Sequence, residues 1–360
     1  MTVIGQSAVS ANSLSSAMSE TAQPAASFAE IRALVPELPG PDLAAGTAAA
    51  ERESKLTKPA GALGRLEELT GWLATWQGRY PPRLDHPRTC VFAGNHGVAA
   101  RGVSAYPAEV TAQMVQNFIA GGAAVNQLCK AVDADLRVYE MALERPTADF
   151  TQRAAMTEEE CARAVAYGMM AVEPGLDVLC LGEMGIANTT SAAALCLALY
   201  GGEAADWTGP GTGVAGTVLA NKVKVVAEGV SRHKAALEDP LEILRHLGGH
   251  ELAAIVGAIL AARLARTPVI LDGFACTAAA AVVAALDPRA LDHCIVAHVS
   301  AEPGHKRLLA KLGKTALVDF GMRLGEASGA TLAVAILKAA LACHTGMATF
   351  GEAGVSGKSG

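Results

Sequence analysis

The chain has 360 residues, 51% of them hydrophobic but only 4% aromatic, so it can bury a large core packed mainly by small aliphatic side chains. A net charge of −6, without a basic stripe interleaved with aromatic residues, argues against a nucleic-acid-binding surface. The eight cysteines show no CxxC spacing and lie mostly in apolar runs, which indicates reduced thiols in a cytoplasmic protein. No uninterrupted apolar run reaches the roughly 18 residues that a membrane span requires. Phe274–Leu286 comes closest.

The two ends of the chain differ in pattern from its middle. Residues 1–27 are rich in Ser and Ala and lack the basic segment of a signal peptide, so we expect a disordered tail. Residues 28–76 have a helical pattern, interrupted by Pro39, Gly40 and Pro41 and by a glycine-rich, basic loop at 58–65. After Pro81 and Pro82 strands and helices alternate, and beyond Gly329 the pattern is helical again. We therefore predict a small helical domain of residues 28–80 plus 328–352, built from both chain ends. Residues 81–327 would form a large α/β domain.

Six short apolar runs in the middle of the chain read as strands buried on both faces, at residues 89–93, 136–140, 178–181, 268–271, 294–299 and 316–319. Helical segments lie between them. This succession predicts right-handed βαβ units and an α/β fold with a doubly wound, mainly parallel sheet.

Residues 177–195 contain the strongest single candidate site. The apolar run is followed by Gly182 and Gly185 in a tight loop, and helix-capping residue types begin at Asn188. A strand, a glycine loop and a capped helix direct free backbone N–H groups at an anion, most often a phosphate. Glu183 lies in this loop, and packing alone does not explain a carboxylate there. The alternative is an ordinary turn whose glycines only satisfy the backbone.

Polar residues also follow the other predicted strands. Ligands of doubly wound sheets bind beyond the carboxyl ends of the strands. Glycine together with Asn, His, Ser, Glu or Asp occurs in at least five of these six loops. One such loop would mean little, but five predict a polar cleft at this edge of the sheet.

Three other motifs lack the sequence surroundings that their usual function requires. Residues 211–216 satisfy GxGxxG, but they follow a helical stretch rather than a strand, which argues against a nicotinamide cofactor. His250 and Glu251 begin like HExxH, but residue 254 is alanine, so this is no zincin. His293, Cys294, His298 and His305 could suggest zinc, yet the spacing along a strand favours ordinary strand and loop histidines. No adjacent acid pair runs into a Thr/Gly loop, the usual magnesium pyrophosphate cradle.

The order of motifs along the chain resembles one enzyme family. These motifs are KPAGALGRLE at residues 58–67, GNHGV, GVSAYP, VTAQM, NFIAGGAAVN, GEMGIANTT, GTG, GGHE, LDGF, HVSAEPGH and RLGEASGA. They come in the order of the nicotinate-nucleotide–dimethylbenzimidazole phosphoribosyltransferase family, and the match spans about residues 55–355. The resemblance implies a pentosyltransferase of cobalamin biosynthesis that is a homodimer. It would transfer the 5-phosphoribosyl group of nicotinate mononucleotide to 5,6-dimethylbenzimidazole, giving α-ribazole 5′-phosphate and nicotinate.

The resemblance also assigns site residues. Glu326 of the RLGE motif would be the general base, and Glu183 would share the electrostatic work near the ribose or base. The implied benzimidazole-binding residues are Ser104, Tyr106, Pro107, Gln113 and Leu324. The implied phosphate- and ribose-binding residues are Gly185, Ile186, Ala187, Asn188, Thr189, Lys222, Ser300 and Gly304. No metal or cofactor is implied, because nicotinate leaves from a pyridinium and the bond cleavage itself relieves a positive charge.

Each assignment has a structural alternative. Glu326 could cap a helix starting near Ser328. Residues 104–113 could be a tight turn followed by a helix, and a lone helical lysine such as Lys222 is usually solvated. Several residues depart from the family pattern and leave the preferred acceptor base open, namely Asn95, Ala187, Ala215, Gly216 and His250. A non-catalytic nucleotide- or base-binding protein remains the second interpretation and an oxidoreductase the third. Finding Glu326 and Gln113 in one pocket would favour the enzyme.

Overall fold

The protein is built around one seven-stranded sheet, seen in a computed structural model that describes residues 2–5 and 27–356. The strands are β1 (Thr2–Gly5), β2 (Pro87–Ala93), β3 (Asp135–Glu140), β4 (Val178–Met184), β5 (Val269–Leu271), β6 (Cys294–His298) and β7 (Ala316–Val318). Their order in the sheet is β1-β3-β2-β4-β5-β6-β7. Strands β2 to β7 are mutually parallel, and β1 runs antiparallel to β3 at one edge.

All six predicted strands are present, and each agrees with the prediction at one end and differs by one to three residues at the other. Strand β1 is the exception to the sequence prediction, because it falls in the expected tail. That prediction is wrong for Thr2–Gly5, whose backbone pairs with the free edge of β3 from Thr2 opposite Glu140 to Gly5 opposite Arg137. An edge strand offers unpaired N–H and C=O groups that such a segment can satisfy. Residues 6–26 lie outside the described part of the chain.

Helices connect the strands and cover both faces of the sheet. Their bounds are α1 (Phe28–Leu34), α2 (Leu43–Glu53), α3 (Arg65–Gln77), α4 (Glu109–Ala120), α5 (Ala124–Val132), α6 (Glu158–Met169), α7 (Asn188–Tyr200), α8 (Ala204–Trp207), α9 (Gly216–His233), α10 (Pro240–Leu247), α11 (His250–Leu264), α12 (Phe274–Leu286), α13 (Pro303–Leu312), α14 (Ser328–Gly346) and α15 (Phe350–Ala353). Helix α6 shows a typical start, since the Thr157 hydroxyl and the Glu160 carboxylate form a capping box.

Alternate residues of the central strands enter two different cores. Phe92 and Leu181 pack with the apolar residues of α6, α7, α11 and α12 on one face. Val91 and Cys180 pack with residues of α3, α4, α5 and α14 on the other. Because side chains alternate along a strand, a run that is apolar at every position must be buried on both faces. The predicted doubly wound α/β sheet is therefore confirmed.

The strand order fixes where a ligand can bind. Strand β2 lies between β3, which follows it in sequence, and β4, where the chain returns to the other side of β2. The connections after β2 and β4 consequently diverge and leave a crevice between their carboxyl ends, which is the usual ligand position in such sheets.

Helix α14 joins the C-terminal part of the chain to this sheet. It is the one described helix that is long and apolar enough to cross a membrane by length and composition, which the sequence analysis did not single out. Its residues Ala330, Val334 and Leu337 are buried in the core that also contains Leu69 and Leu73 of α3, the arrangement of a helix packed inside a protein core. The division into a small helical and a large α/β domain stays a prediction.

Candidate active site

A cavity of about 810 Å³ opens at the carboxyl ends of the parallel strands. Five connections contribute to its lining, those after β2, β4, β5, β6 and β7. The predicted site residues among them are Ser104, Tyr106, Glu183, Gly185, Ile186, Ala187, Asn188, Thr189, Ser300, Leu324 and Glu326. Residues more than 200 positions apart in sequence thus meet in one place, as the pattern of polar loops predicts.

Strand β4 extends further than its apolar run indicates. Gly182 and Glu183 lie on the strand, opposite Val91 and Phe92 of β2, and not in the loop as expected from sequence. A Cβ at Gly182 would collide with the backbone of Ala327, so this glycine permits the close approach of the segment that begins α14. The loop proper consists of residues 185–187, and α7 already begins at Asn188.

Residues 185–189 line the cavity, and only some of their backbone N–H groups have a protein acceptor in the part of the chain that the structure describes. The N–H of Ile186 donates to the Thr111 hydroxyl at 3.1 Å, and the N–H of Asn188 donates to the Gly185 carbonyl at 3.1 Å. Within the described residues the N–H groups of Gly185, Ala187 and Thr189 have no protein acceptor. Ala187 holds φ +77° as the residue before α7, a conformation that normally favours glycine. Free N–H groups at the N-terminus of a helix form an anion site.

Lys222 supports this loop from behind. Its side chain is buried, and Nζ donates to the Thr189 hydroxyl at 2.8 Å and to the Gly209 carbonyl at 3.0 Å. Burial lowers the pKa of Lys222 to about 8, although the negative charge of Glu302 opposes this shift. The solvated-lysine alternative is therefore wrong, and Lys222 supplies a positive charge beside Thr189 without itself lining the cavity.

Glu183 occupies the floor of the cavity, where it is 9% exposed. Burial raises the pKa of Glu183 to about 8; the Asn188 hydrogen bond lowers it, and the charges of Asp272, Glu251 and Glu326 raise it. The Asn188 amide donates to its carboxylate. Glu183 consequently carries a proton over much of the neutral range.

Glu326 faces the same space from the connection after β7. Its backbone N–H donates to the Glu183 carbonyl at 3.1 Å, which fixes the two glutamates next to each other. Burial raises the pKa of Glu326 to about 7, and the charge of Asp272 adds to the effect. Glu326 and Ala327 have φ values of +62° and +57°, so this segment holds an uncommon backbone conformation at the cavity.

The capping alternative for Glu326 does not hold. The N-cap of α14 is Ala327, and no side chain caps this helix end. The Glu326 carboxylate has no hydrogen-bond partner among the described residues. A buried, unpartnered carboxyl group with a pKa near 7, facing a cavity, is suited to accept a proton from a ligand.

Part of the cavity is lined by apolar side chains. Val110 and Met114 of α4 line it, together with the rim residues Tyr106 and Leu324, each 55% exposed. The Ser104 hydroxyl is hydrogen-bonded to the Thr212 hydroxyl at 3.0 Å. A flat aromatic ring would find apolar walls here and polar groups at one end.

Besides Lys222, three predicted residues lie outside the cavity lining. Gln113 is exposed, because the helical repeat of α4 turns Val110, Met114 and Asn117 toward the cavity instead. Gln113 and Glu326 are therefore not brought into one cavity. Pro107 is exposed in the turn before α4. Gly304 is a packing residue, since a Cβ there would lie 2.8 Å from the Trp207 carbonyl oxygen.

Three titratable residues of the cavity lining were not predicted as site residues from sequence. Glu302 accepts from the N–H of Gly211 at 2.8 Å, and Arg323 donates to the Gly211 carbonyl at 2.9 Å. Both lie in polar loops that the sequence analysis noted but did not resolve into roles. His298 is buried, and burial alone would lower its pKa; the Asp272 carboxylate, 3.6 Å from Nε2, raises it overall.

The structure also shows where the remaining motifs lie. Residues 211–216 follow α8 rather than a strand and lie in the loop before α9. The eight cysteines are unpaired, and all but Cys343 are buried. Burial lowers the pKa of both His293 and His305 to about 3. In the described ranges no group of three or more His, Cys, Asp or Glu side chains is placed to hold a metal ion.

Comparisons with known proteins identify one enzyme family. A family model described as a phosphoribosyltransferase matches residues 38–355. A relative from Brucella canis, named nicotinate-nucleotide–dimethylbenzimidazole phosphoribosyltransferase, is 58% identical over 329 residues, covering 91% of this chain and 97% of the relative. A relative of the same name from Sinorhizobium medicae is 58% identical over 331 residues, covering 92% of this chain and 98% of the relative. The crystal structure of the enzyme of that name from Thermus thermophilus is similar, with a TM-score of 0.81 and 40% identity, covering 88% of this chain and 99% of that one.

Proposed function

Since the chain belongs to the nicotinate-nucleotide–dimethylbenzimidazole phosphoribosyltransferase family, we propose that it transfers the 5-phosphoribosyl group of nicotinate mononucleotide to 5,6-dimethylbenzimidazole. The products are α-ribazole 5′-phosphate and nicotinate. The observation that carries the assignment is the meeting of two carboxyl groups of raised pKa, Glu183 and Glu326, with the free N–H groups of the 185–189 loop in one cavity.

The phosphate binds at residues 185–189. The N–H groups of Gly185, Ala187 and Thr189 are its donors, and Lys222 behind Thr189 offsets part of its negative charge. Ser300 and Arg323 line the same cavity and add a hydroxyl and a guanidinium. These donors hold C1′ of the ribose in reach of the acceptor.

Glu326 acts as the general base. As the benzimidazole nitrogen attacks C1′, its other ring N–H becomes acidic, and the Glu326 carboxylate removes that proton. Nicotinate leaves with the electron pair of the broken C1′–N bond, which neutralises its pyridinium. Glu183, protonated near neutral pH, supports the ribose side of the cavity and does not compete as a second base. The acceptor ring lies between Val110, Met114 and Leu324.

The direct test mixes the purified protein with nicotinate mononucleotide and dimethylbenzimidazole and measures released nicotinate together with α-ribazole 5′-phosphate. We expect both products in equal amounts. A protein that binds both compounds but forms neither product would instead be a non-catalytic binder on the same scaffold. Hydrolysis to nicotinate without α-ribazole 5′-phosphate would contradict the proposed acceptor.

We propose further that the enzyme is a cytoplasmic homodimer. Eight unpaired cysteines suit a reducing compartment. Large apolar side chains are exposed to solvent. Tyr106 at the cavity rim is 55% exposed, and Phe320 in the loop that contains Leu324 is 68% exposed. Light scattering coupled to size-exclusion chromatography measures the mass in solution, and a monomer at micromolar concentration would contradict the dimer.

A further inference from the structure

A hydrogen-bonded chain of three buried side chains lies outside the catalytic cavity. His96, in the connection after β2, contacts the Glu251 carboxylate through Nε2 at 2.7 Å and the Ser191 hydroxyl through Nδ1 at 3.0 Å. The side chains of His96 and Glu251 are fully buried, and Ser191 is 0% exposed. None of the three lines the cavity. Ser191 therefore cannot serve as a nucleophile toward a ligand there, despite its resemblance to a triad serine.

The hydrogen-bond donors follow from the chemistry of the groups. A carboxylate oxygen is the natural acceptor, so we assign the His96 proton to Nε2, which donates to Glu251. In this tautomer Nδ1 accepts from the Ser191 hydroxyl. The order of donation is thus Ser191 to His96 to Glu251, and it fixes the orientation of the imidazole ring.

The second oxygen of Glu251, Oε2, has no hydrogen-bond partner in the described part of the chain. Leaving a buried carboxylate oxygen unsatisfied is costly, and an apolar residue of similar volume would avoid that cost. Stability is therefore a poor explanation for this chain of contacts, and its position in the fold suggests another.

The three residues reach the two ends of the 185–189 loop by different routes, Glu251 through Gly94 at its start and Ser191 in the helix that follows its end. Oε2 of Glu251 stands directly behind Gly94, where a Cβ would lie only 2.5 Å away. On its other side the Gly94 carbonyl oxygen lies 2.7 Å from the position of a Cβ at Gly185, and the Gly94 N–H donates to the Met184 carbonyl at 2.9 Å. Ser191 lies in the first turn of α7, the helix that continues from the loop.

We propose that Glu251, His96 and Ser191 are positioning residues. They hold the backbone of the 185–189 loop in the position that binds the substrate's phosphate. Glu251 backs Gly94 against Gly185 at the start of the loop, and Ser191 anchors the first turn of α7 at its end. His96 connects the two. The inference rests on the phosphate site proposed above and adds the residues that fix its geometry.

The test uses the phosphate itself as the probe. The value of kcat/KM is measured with nicotinate mononucleotide and with nicotinate riboside, which lacks only the phosphate. The ratio of the value for the mononucleotide to the value for the riboside reports how much the bound phosphate contributes to catalysis. We expect Ser191→Ala to lower the ratio by on the order of 10- to 10²-fold, as small misplacements of binding groups do, with little change for the riboside. Alanine favours the helix, so this variant should fold.

Matched variants separate positioning from general damage. Thr190→Val removes a buried, unpartnered hydroxyl from the same turn of α7 and should leave the ratio unchanged. Glu251→Gln still accepts from His96 and should keep most of the ratio, whereas Glu251→Leu should lose it.

Two outcomes would overturn the inference and differ from each other. If the wild-type protein itself uses both substrates equally well, the phosphate site proposed above is wrong and the positioning role falls with it. If the wild-type protein favours the mononucleotide strongly but Ser191→Ala and Glu251→Leu lose activity equally with both substrates, the phosphate site stands and the three residues are only structural.

Discussion

Replacing Glu326 by Gln is the most informative perturbation of this protein. Glutamine keeps the size of the side chain and its capacity to hydrogen-bond, but it cannot take up a proton. General base catalysis contributes typically about 10²- to 10⁴-fold, so kcat should fall by that order while both substrates still bind.

The pH dependence of the wild-type enzyme follows from the same group. Glu326 must be ionised to act, and burial raises its pKa to about 7, so kcat should rise as pH increases through about 7. Glu183 interacts with Glu326, so the two carboxyl groups titrate as a pair with shared apparent pKa values. The Gln variant should lack the rise in kcat near pH 7.

Stability provides an independent measurement. Between pH 4.5 and about 7 the folded protein holds a proton on Glu326 that the unfolded chain has released, so this group lowers stability as pH rises through that window. A shift from 4.5 to about 7 corresponds to roughly 3 kcal/mol. The Gln variant should therefore be more stable than the wild type at pH 8.5 by up to about that amount and equally stable at pH 4.

Two measurements on one preparation test these expectations. Steady-state kinetics at saturating substrate give kcat, and urea unfolding at both pH values gives the free energy of unfolding. Glu159→Gln, an exposed change on α6, is the control and should alter neither quantity. Near-wild-type kcat in the Glu326 variant would refute its role as the base. Lower stability of that variant at pH 8.5 would show that the ionised carboxylate has a partner and supports the fold.

Further changes test other parts of the site. Gly185→Val should weaken mononucleotide binding sharply and spare benzimidazole binding, because a Cβ there meets the Gly94 carbonyl oxygen at 2.7 Å; unchanged affinity in calorimetry would place the phosphate elsewhere. Turnover should need no divalent metal, because the leaving group carries its own positive charge; activity lost to a chelator and restored by magnesium would contradict this mechanism. Glu183→Gln should raise the unfolding free energy at pH 9 by up to roughly 5 kcal/mol and leave it unchanged at pH 4, since burial raises the pKa of Glu183 to about 8; equal stability at pH 9 by urea unfolding would show that the carboxyl group is already ionised and satisfied.

The sequence by itself determined the fold class and the edge of the sheet that carries the site. Runs that are apolar at every position can be strands only if both faces are covered, and polar glycine loops after such strands must gather at one edge. The ordered motifs added the family. These features are local in the chain, so they can be read without knowing which segments touch.

Only the tertiary structure decided the features that depend on contacts between distant segments. The strand order set the crevice between β2 and β4, and the free edge of β3 gave Thr2–Gly5 a partner. Gln113 lies outside the cavity because tertiary packing determines which face of α4 lines it. The pKa values of Glu183 and Lys222 shifted because segments far apart in the chain excluded water from them. Desolvation is a property of the assembled fold, and no spacing of residues along the chain records it.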